Sequence, residues 1–391
     1  MYIDVHIGGE TVQISYEVFQ LLTENSVVAD YSDTRRAIEK GQINFKALEK
    51  LADKAWIPLP LFFSPLPFVK SQISEKEKKL IKRIRKDTLN IGSRQTIELS
   101  QIELILRDLI QKQHYVRQYA EDLSENTIRG LLKKPSERLE DDAARLLDAL
   151  HLTHEEIRSS SNKNKALELI LNRLGEQQIL VSQSVQNYMP QQLRNIHFSG
   201  MTIDDTKVPY IFLAGGKENN SEEPVGRRIF TLILMTVLIA RQEFQPVVWD
   251  ASSIGADFGY VYNLTGTILM PKSEMNIDPD TNLDGIKHLA DQFKVTPSAV
   301  TVRALHLRKL TYEQASRYLD ELQQEFISRP TTHARAPQPA KAVLKYAGSE
   351  TIKRLLPALD SKRLSLKEFL RVGCLNKLNR RQIGDLRGII E

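Results

Sequence analysis

The stretch RRIFTLILMTVLIARQ, residues 227–242, sets twelve uncharged residues between Arg228 and Arg241, interrupted only by Thr231 and Thr236. Asp, Glu, Lys and Arg make up 26% of the chain, so such a run needs a reason. Three homes are open to it: a bilayer, a protein core, or an active-site helix that has lost its chemistry. A bilayer span takes roughly 20 apolar residues, and this run is too short. That leaves a core helix or a former active-site helix.

The 391 residues suit two to three domains. A hydrophobic content of 41% supports real cores and is too low for a multispan membrane protein. MYIDVHIGGE has neither a basic segment nor an apolar segment of the kind a signal peptide needs, so a cytoplasmic location is expected. The lone Cys374 excludes an internal disulfide framework and a cysteine-based zinc ribbon, and is expected to be a small core residue. A net charge of +5 permits contact with nucleic acid without requiring it. Two segments concentrate the basic residues, 70–86 and 362–387, and each reads as a solvated helix face.

MYIDVHIGGETVQIS alternates polar and apolar residues around Gly8-Gly9 and predicts a hairpin. A short helix follows, then a helical stretch carrying Arg35, Arg36 and Lys40 that Gly41 ends. Asn44 is placed to cap a helix whose apolar face is Phe45, Leu48, Leu51, Ala52 and Ala55. Residues 73–160 carry a helical pattern, with SERLEDDAARLLDALHLTHEEIR (136–158) read as a clear helix, Ser136 as its expected cap and acids in its first turn. KALELILNRLGEQQILVSQS reads as helix, Gly175, then strand; KVPYIFLAGG reads as a strand. A pair of helices is expected over 282–310, and the Pro-rich 328–342 reads as a linker.

Few motifs carry chemistry. LAGGKENNS lacks the first spaced glycine of a phosphate loop and the Ser or Thr after Lys217. His151 and His154 have no third ligand nearby, and His288 with Asp291 reads as a salt-bridged surface pair.

The order of several segments, however, resembles the ImmA/IrrE-like zinc peptidases. FKALEKLADKAWIPLPLFF resembles the last helix and exit of a repressor-type helix-turn-helix. IHFSGMTIDDTKVPYIFL resembles the strands before that family's active site, and RRIFTL resembles the start of its RRRFTLAHELGH helix. LTGTILMP, IKHLADQFKVTPSAVTVRALHLRKL and the helical, basic C-terminal segment follow in the family's order. The resemblance implies an α+β, predominantly α-helical fold: a zincin-like pseudopeptidase core with a small sheet, flanked by helical domains. It divides the chain into a truncated helix-turn-helix-like module (1–68), a helical connector (69–160), the pseudopeptidase domain (161–327), the linker (328–342) and a basic helical domain (343–391).

The family's catalytic residues do not carry over. Its HExxH helix places two histidines four residues apart to bind zinc, with the glutamate as general base. The matching slots here are Leu234, Met235 and Leu238. The third-ligand region holds Phe258 and Tyr260, with Asp257 as the nearest carboxylate. The resemblance therefore implies a catalytically inactive regulatory protein with no metal and no cofactor. Its implied setting is a phage or mobile element, where it would bind a toxin or effector as an antitoxin-like or defence-associated protein. The alternatives are a DNA-binding regulator that uses Arg35, Arg36 and Lys40, and a residual peptidase with a non-standard site. No membrane partner is expected.

Overall fold

The predicted hairpin forms as β1 (Tyr2–Ile7) and β2 (Glu10–Ser15), antiparallel, with Ile7 opposite Glu10. Gly8 and Gly9 both take positive φ, the geometry a two-residue hairpin turn demands and L side chains resist. The computed structural model describes residues 1–24, 26–29, 31–81, 99–193, 198–215, 223–244, 246–248, 259–278, 281–328 and 338–390. Lys217, Asp257, Phe258, residues 82–86 of the first basic segment and 329–337 of the Pro-rich segment lie outside that set.

After the hairpin come α1 (Tyr16–Glu24) and α2 (Ser32–Lys40), which Gly41 closes in the left-handed conformation. A strand absent from the sequence reading follows, β3 (Gln42–Asn44), which pairs in parallel with β1 to give the order β2-β1-β3. Asn44 then caps α3 (Phe45–Ala55), its side chain accepting from the Lys46 N–H at 2.9 Å. A 3-10 turn (Leu59–Phe63) and α4 (Leu66–Ile81) complete this part. Its core joins Ile3, Val5 and Ile14 of the sheet to Phe19, Leu48 and Phe62. β3 ties the ends of α2 and α3 to the sheet, so no free turn joins these two helices.

The remaining helices enclose a second sheet. They are α5 (Leu99–Tyr119), α6 (Leu139–Ala149), α7 (His154–Ser159), α8 (Lys163–Glu176), α9 (Val225–Arg241), α10 (Gly259–Leu269), α11 (Leu283–Gln292), α12 (Pro297–His306), α13 (Tyr312–Ile327), α14 (Pro339–Ala347), α15 (Ser349–Asp360), α16 (Leu366–Val372) and α17 (Gln382–Ile390). The strands are β4 (Leu180–Gln183), β5 (Phe198–Ile203), β6 (Tyr210–Leu213) and β7 (Pro246–Val248), in the order β4-β6-β5-β7. β4 runs parallel to β6, while β5 runs antiparallel to both its neighbours. The fold is α+β and mostly helical. No described helix is long and apolar enough to cross a membrane.

Both faces of this sheet are covered, which is why β6 reads as YIFL without polar alternation. Ile211 and Leu213 face a core built by α6 to α13, and Tyr210 and Phe212 face a second core built by α5 and α14 to α17. Cys374 is buried in the second core, and burial pushes its thiol pKa up to about 12. The same core holds a fully buried ion pair, Lys112 with Asp108 on α5. The Tyr346 hydroxyl of α14 donates to Asp108 at 2.7 Å, and the Lys112 ammonium lies 4.9 Å from the Tyr346 ring centre. These contacts tie α5 to the C-terminal helices.

Two expectations within 73–160 are corrected. Residues 120–138 form no helix, because their backbone has another task. The N–H groups of Gly130 and Leu132 donate to the carbonyls of Ile239 and Ala240 in the last turn of α9, and the Ile239 carbonyl also accepts from the Gln242 N–H that closes the helix. Ser136 is not the cap of α6. The cap position is Arg138, which makes no side-chain capping bond, and Ser136 donates through its N–H and its hydroxyl to Asp142.

Candidate functional site

The apolar run is α9, with Pro224 at its cap and Gln242 closing it in the left-handed conformation. Every residue from Thr231 to Ala240 is buried. The three slots that the resemblance assigns to zinc and base are sealed: Leu234 is 3% exposed, Met235 0% and Leu238 2%. Thr236 satisfies its own hydroxyl by donating back to the Leu232 carbonyl at 2.8 Å, so it offers no free polar atom.

The slots point in two directions. Met235 faces the sheet at Gly200, where an added Cβ would lie 2.2 Å from the Met235 Cε and 2.1 Å from the Phe212 carbonyl oxygen. Only glycine allows this approach, and Gly200 also has φ of +152°. Leu234, Leu238 and Arg241 recur at helical spacing on another face of α9. That face reaches the start of α10, where the Arg241 guanidinium lies 5.0 Å from the centre of the Tyr260 ring. Arg241 is held there by donating to the Leu132 carbonyl at 3.0 Å.

Tyr260, in the third-ligand region, carries a phenol that donates to the Asp142 carboxylate of α6. Asp142 also accepts from the Ser136 N–H at 2.8 Å, the Ser136 hydroxyl at 2.7 Å and Arg145 Nη1 at 3.1 Å. Burial alone would raise the Asp142 pKa, but the bonds from Tyr260 and Ser136 and the Arg145 charge outweigh it and hold the group below its usual value. Burial, then the bond to anionic Asp142, push the Tyr260 phenol well above its usual range, so it stays a neutral donor. A carboxylate offers about four acceptor sites, and four donors fill them here. The cluster clamps α6, α9 and α10 together, with the acceptor sites of the Asp142 carboxylate occupied.

A second polar anchor supports α10 from below. Arg303 of α12 is buried and has no carboxylate within ion-pair distance among the described residues. It donates to Thr267 Oγ1 at 3.0 Å and to the Met270 carbonyl at 3.4 Å, at the C-terminal end of α10 where the helix dipole is negative. Burial lowers its pKa, and the Glu140 charge opposes that shift.

The other sequence candidates do not converge. His151 is exposed, and His154 is half-buried with its pKa lowered by burial and then by Arg158. Asp291 pairs with Lys163 at 2.7 Å, and His288 takes no part in that contact, so the expected His288–Asp291 pair is replaced. No three His, Cys, Asp or Glu side chains gather as a metal site among the described residues. Arg35, Arg36 and Lys40 are exposed on α2. They stand in a segment, 1–68, with six Lys and Arg against nine Asp and Glu.

Asp142 and Arg241 escaped the sequence reading. Asp142 looks like any first-turn helix acid, and Arg241 looks like the polar end of an apolar run. Their roles depend on Tyr260, which is 118 residues from Asp142 in sequence. No family model matches this chain, and neither does any curated protein or solved structure.

Proposed function

We propose that this chain is a non-catalytic regulatory protein of the ImmA/IrrE-like type that holds a partner protein. The observation that carries this reading is the packing of Leu234, Met235 and Leu238 as core at the slots of a zinc-binding helix. Side chains of this kind contribute roughly 1.5–3 kcal/mol each when buried, and none of them ligates metal or moves a proton. The saturated Asp142 and the neutral Tyr260 supply no replacement ligand or base.

A protein partner is supported by the surface of the N-terminal part. Nine large apolar side chains stay exposed among the described residues, and six belong to 1–68: Met1, Tyr2, Val12, Tyr31, Phe63 and Phe68. β2 is an edge strand of the first sheet, with backbone groups free to pair with an added strand. Exposed apolar groups and an open strand edge in one part of the chain suit a protein surface, and the net acidity of 1–68 disfavours phosphate. By the resemblance, the partner is a toxin or effector of a phage or mobile element.

The test uses the tagged full chain and its Y2S/F63S/F68S variant, each purified from the native cell. The reading expects one protein at 1:1 with the native chain, absent from the variant, with equal melting temperatures. Retention of the same protein by the variant would overturn the assignment of this surface.

A further inference from the structure

The chain's positive charge is not spread evenly. Residues 361–390 hold eight Lys and Arg against two Asp and Glu, a net +6, whereas the whole chain is +5. The rest of the chain is close to neutral only as a sum, since 70–86 is basic as well and acidic stretches offset it. The segment folds as α16, a nine-residue connection and α17. Phe369, Val372, Cys374, Leu378, Ile383 and Leu386 turn into the core, so the charges are left on the outside.

Lys362, Lys367, Arg371, Lys377, Arg380 and Arg381 are all exposed. Lys367 and Arg371 share one face of α16 at a spacing of four. Lys377, Arg380 and Arg381 occupy the connection leading into α17. None of these six has a carboxylate within ion-pair distance among the described residues, and Arg371 donates to the Tyr115 hydroxyl at 3.1 Å. The acids nearby are engaged or few. Asp360 pairs with Arg387 at 3.1 Å, Glu121, just after the end of α5, pairs with Arg363 at 2.8 Å, and Glu368 accepts from Ser365 at 2.7 Å. Asp385 alone stands exposed on α17.

The connection is also ordered by its own bonds. Asn379 Oδ1 accepts from the backbone N–H groups of Arg381 and Gln382 at 3.0 and 3.2 Å, and Gln382 Oε1 accepts from the Asn379 N–H at 3.0 Å. This fixes Arg380 and Arg381 at the positive end of the α17 dipole.

We propose that this surface, from Lys367 and Arg371 on α16 through Lys377, Arg380 and Arg381, binds the phosphate backbone of duplex DNA without reading its sequence. The chemistry fits a polyanion with phosphates at close, regular intervals. Between the cations stand Asn376 and Asn379, amides suited to phosphate and sugar oxygens. A membrane surface is the poorer fit, because interfacial helices present apolar side chains outward and here only Ile389 does so among the exposed large apolar residues of this segment. The proposal is independent of the partner reading, and it moves nucleic-acid contact from α2 to the opposite end of the chain.

The experiment is fluorescence anisotropy of a short labelled DNA duplex of arbitrary sequence, titrated with the full chain at several salt concentrations. Native protein is expected to bind at low salt, with affinity falling linearly on a log–log plot. K377E/R380E/R381E is expected to bind about tenfold or more weakly, with the salt slope reduced by about 0.9 for each phosphate no longer neutralised. R35E/R36E/K40E is expected to bind as the native chain does. Anionic phospholipid vesicles are expected not to displace the duplex. Should charge reversal unfold the chain, K377Q/R380Q/R381Q replaces it and is expected to weaken binding in the same direction. Native-like affinity in the C-terminal variant, no binding by the native chain at low salt, or displacement by vesicles would each overturn the proposal.

Discussion

The guanidinium of Arg241 covers the ring of Tyr260 at 5.0 Å, and this contact joins the end of α9 to the start of α10. The Tyr260 hydroxyl extends the link to α6 by donating to buried Asp142. Removing that hydroxyl would leave one oxygen of a buried carboxylate a donor short. Tyr260→Phe is expected to cost about 1–3 kcal/mol in urea unfolding. An unchanged urea midpoint would show that the clamp contributes nothing.

Asp142 also gives the fold a pH dependence. Its folded pKa lies below its unfolded value, so its contribution is complete above the unfolded pKa and is lost as pH falls through the folded one. Stability measured from neutral pH down into the acid range should therefore decline, and part of the decline should vanish in Asp142→Asn. If the variant's profile parallels the native one, Asp142 is not the group responsible.

Leu238 is 2% exposed and its neighbours are fixed by helix and sheet, so truncation opens a cavity. Leu238→Ala is expected to cost about 2–5 kcal/mol. Leu238→His should cost at least as much, because a polar ring enters dry core, and added zinc should not restore the loss. Thermal melting with and without zinc reads both.

Gly200 and Met235 touch closely enough to be coupled. Gly200→Ala should destabilise through the Phe212 carbonyl and through the Met235 terminus. Met235→Ala relieves only the second clash. A double-mutant cycle should thus return a favourable coupling smaller than the whole cost of Gly200→Ala. Full rescue would mean that the backbone contact is unimportant.

The buried Lys112–Asp108 pair makes a different kind of prediction. Lys112→Met leaves the Asp108 carboxyl in the core without its cation, for about 3–5 kcal/mol. The double change Lys112→Met with Asp108→Leu should cost less than that, although Tyr346 also loses its acceptor. Urea unfolding of the three proteins checks the ranking.

Much of the fold was legible locally. Alternation and Gly8-Gly9 gave the hairpin, Asn44 gave the start of α3, and the uncharged, mostly apolar run, too short for a bilayer, pointed to a helix packed within the protein. β3 was invisible because three residues carry no periodicity and its pairing with β1 is non-local. Residues 120–138 were misread because the acceptors of the Gly130 and Leu132 N–H groups belong to α9, more than a hundred residues away. The slots Leu234, Met235, Leu238 and Tyr260 came from family resemblance, since burial alone does not distinguish a lost site from ordinary core. The acceptor role of Asp142 needed the folded chain.

The central claim is that α9 is core where a zinc helix would bind metal. It is tested most directly by zinc stoichiometry of the purified full chain after dialysis against buffered, low free zinc. The account predicts far less than one zinc per chain and no change in melting temperature. One tightly held zinc per chain, with a raised melting temperature, would contradict it.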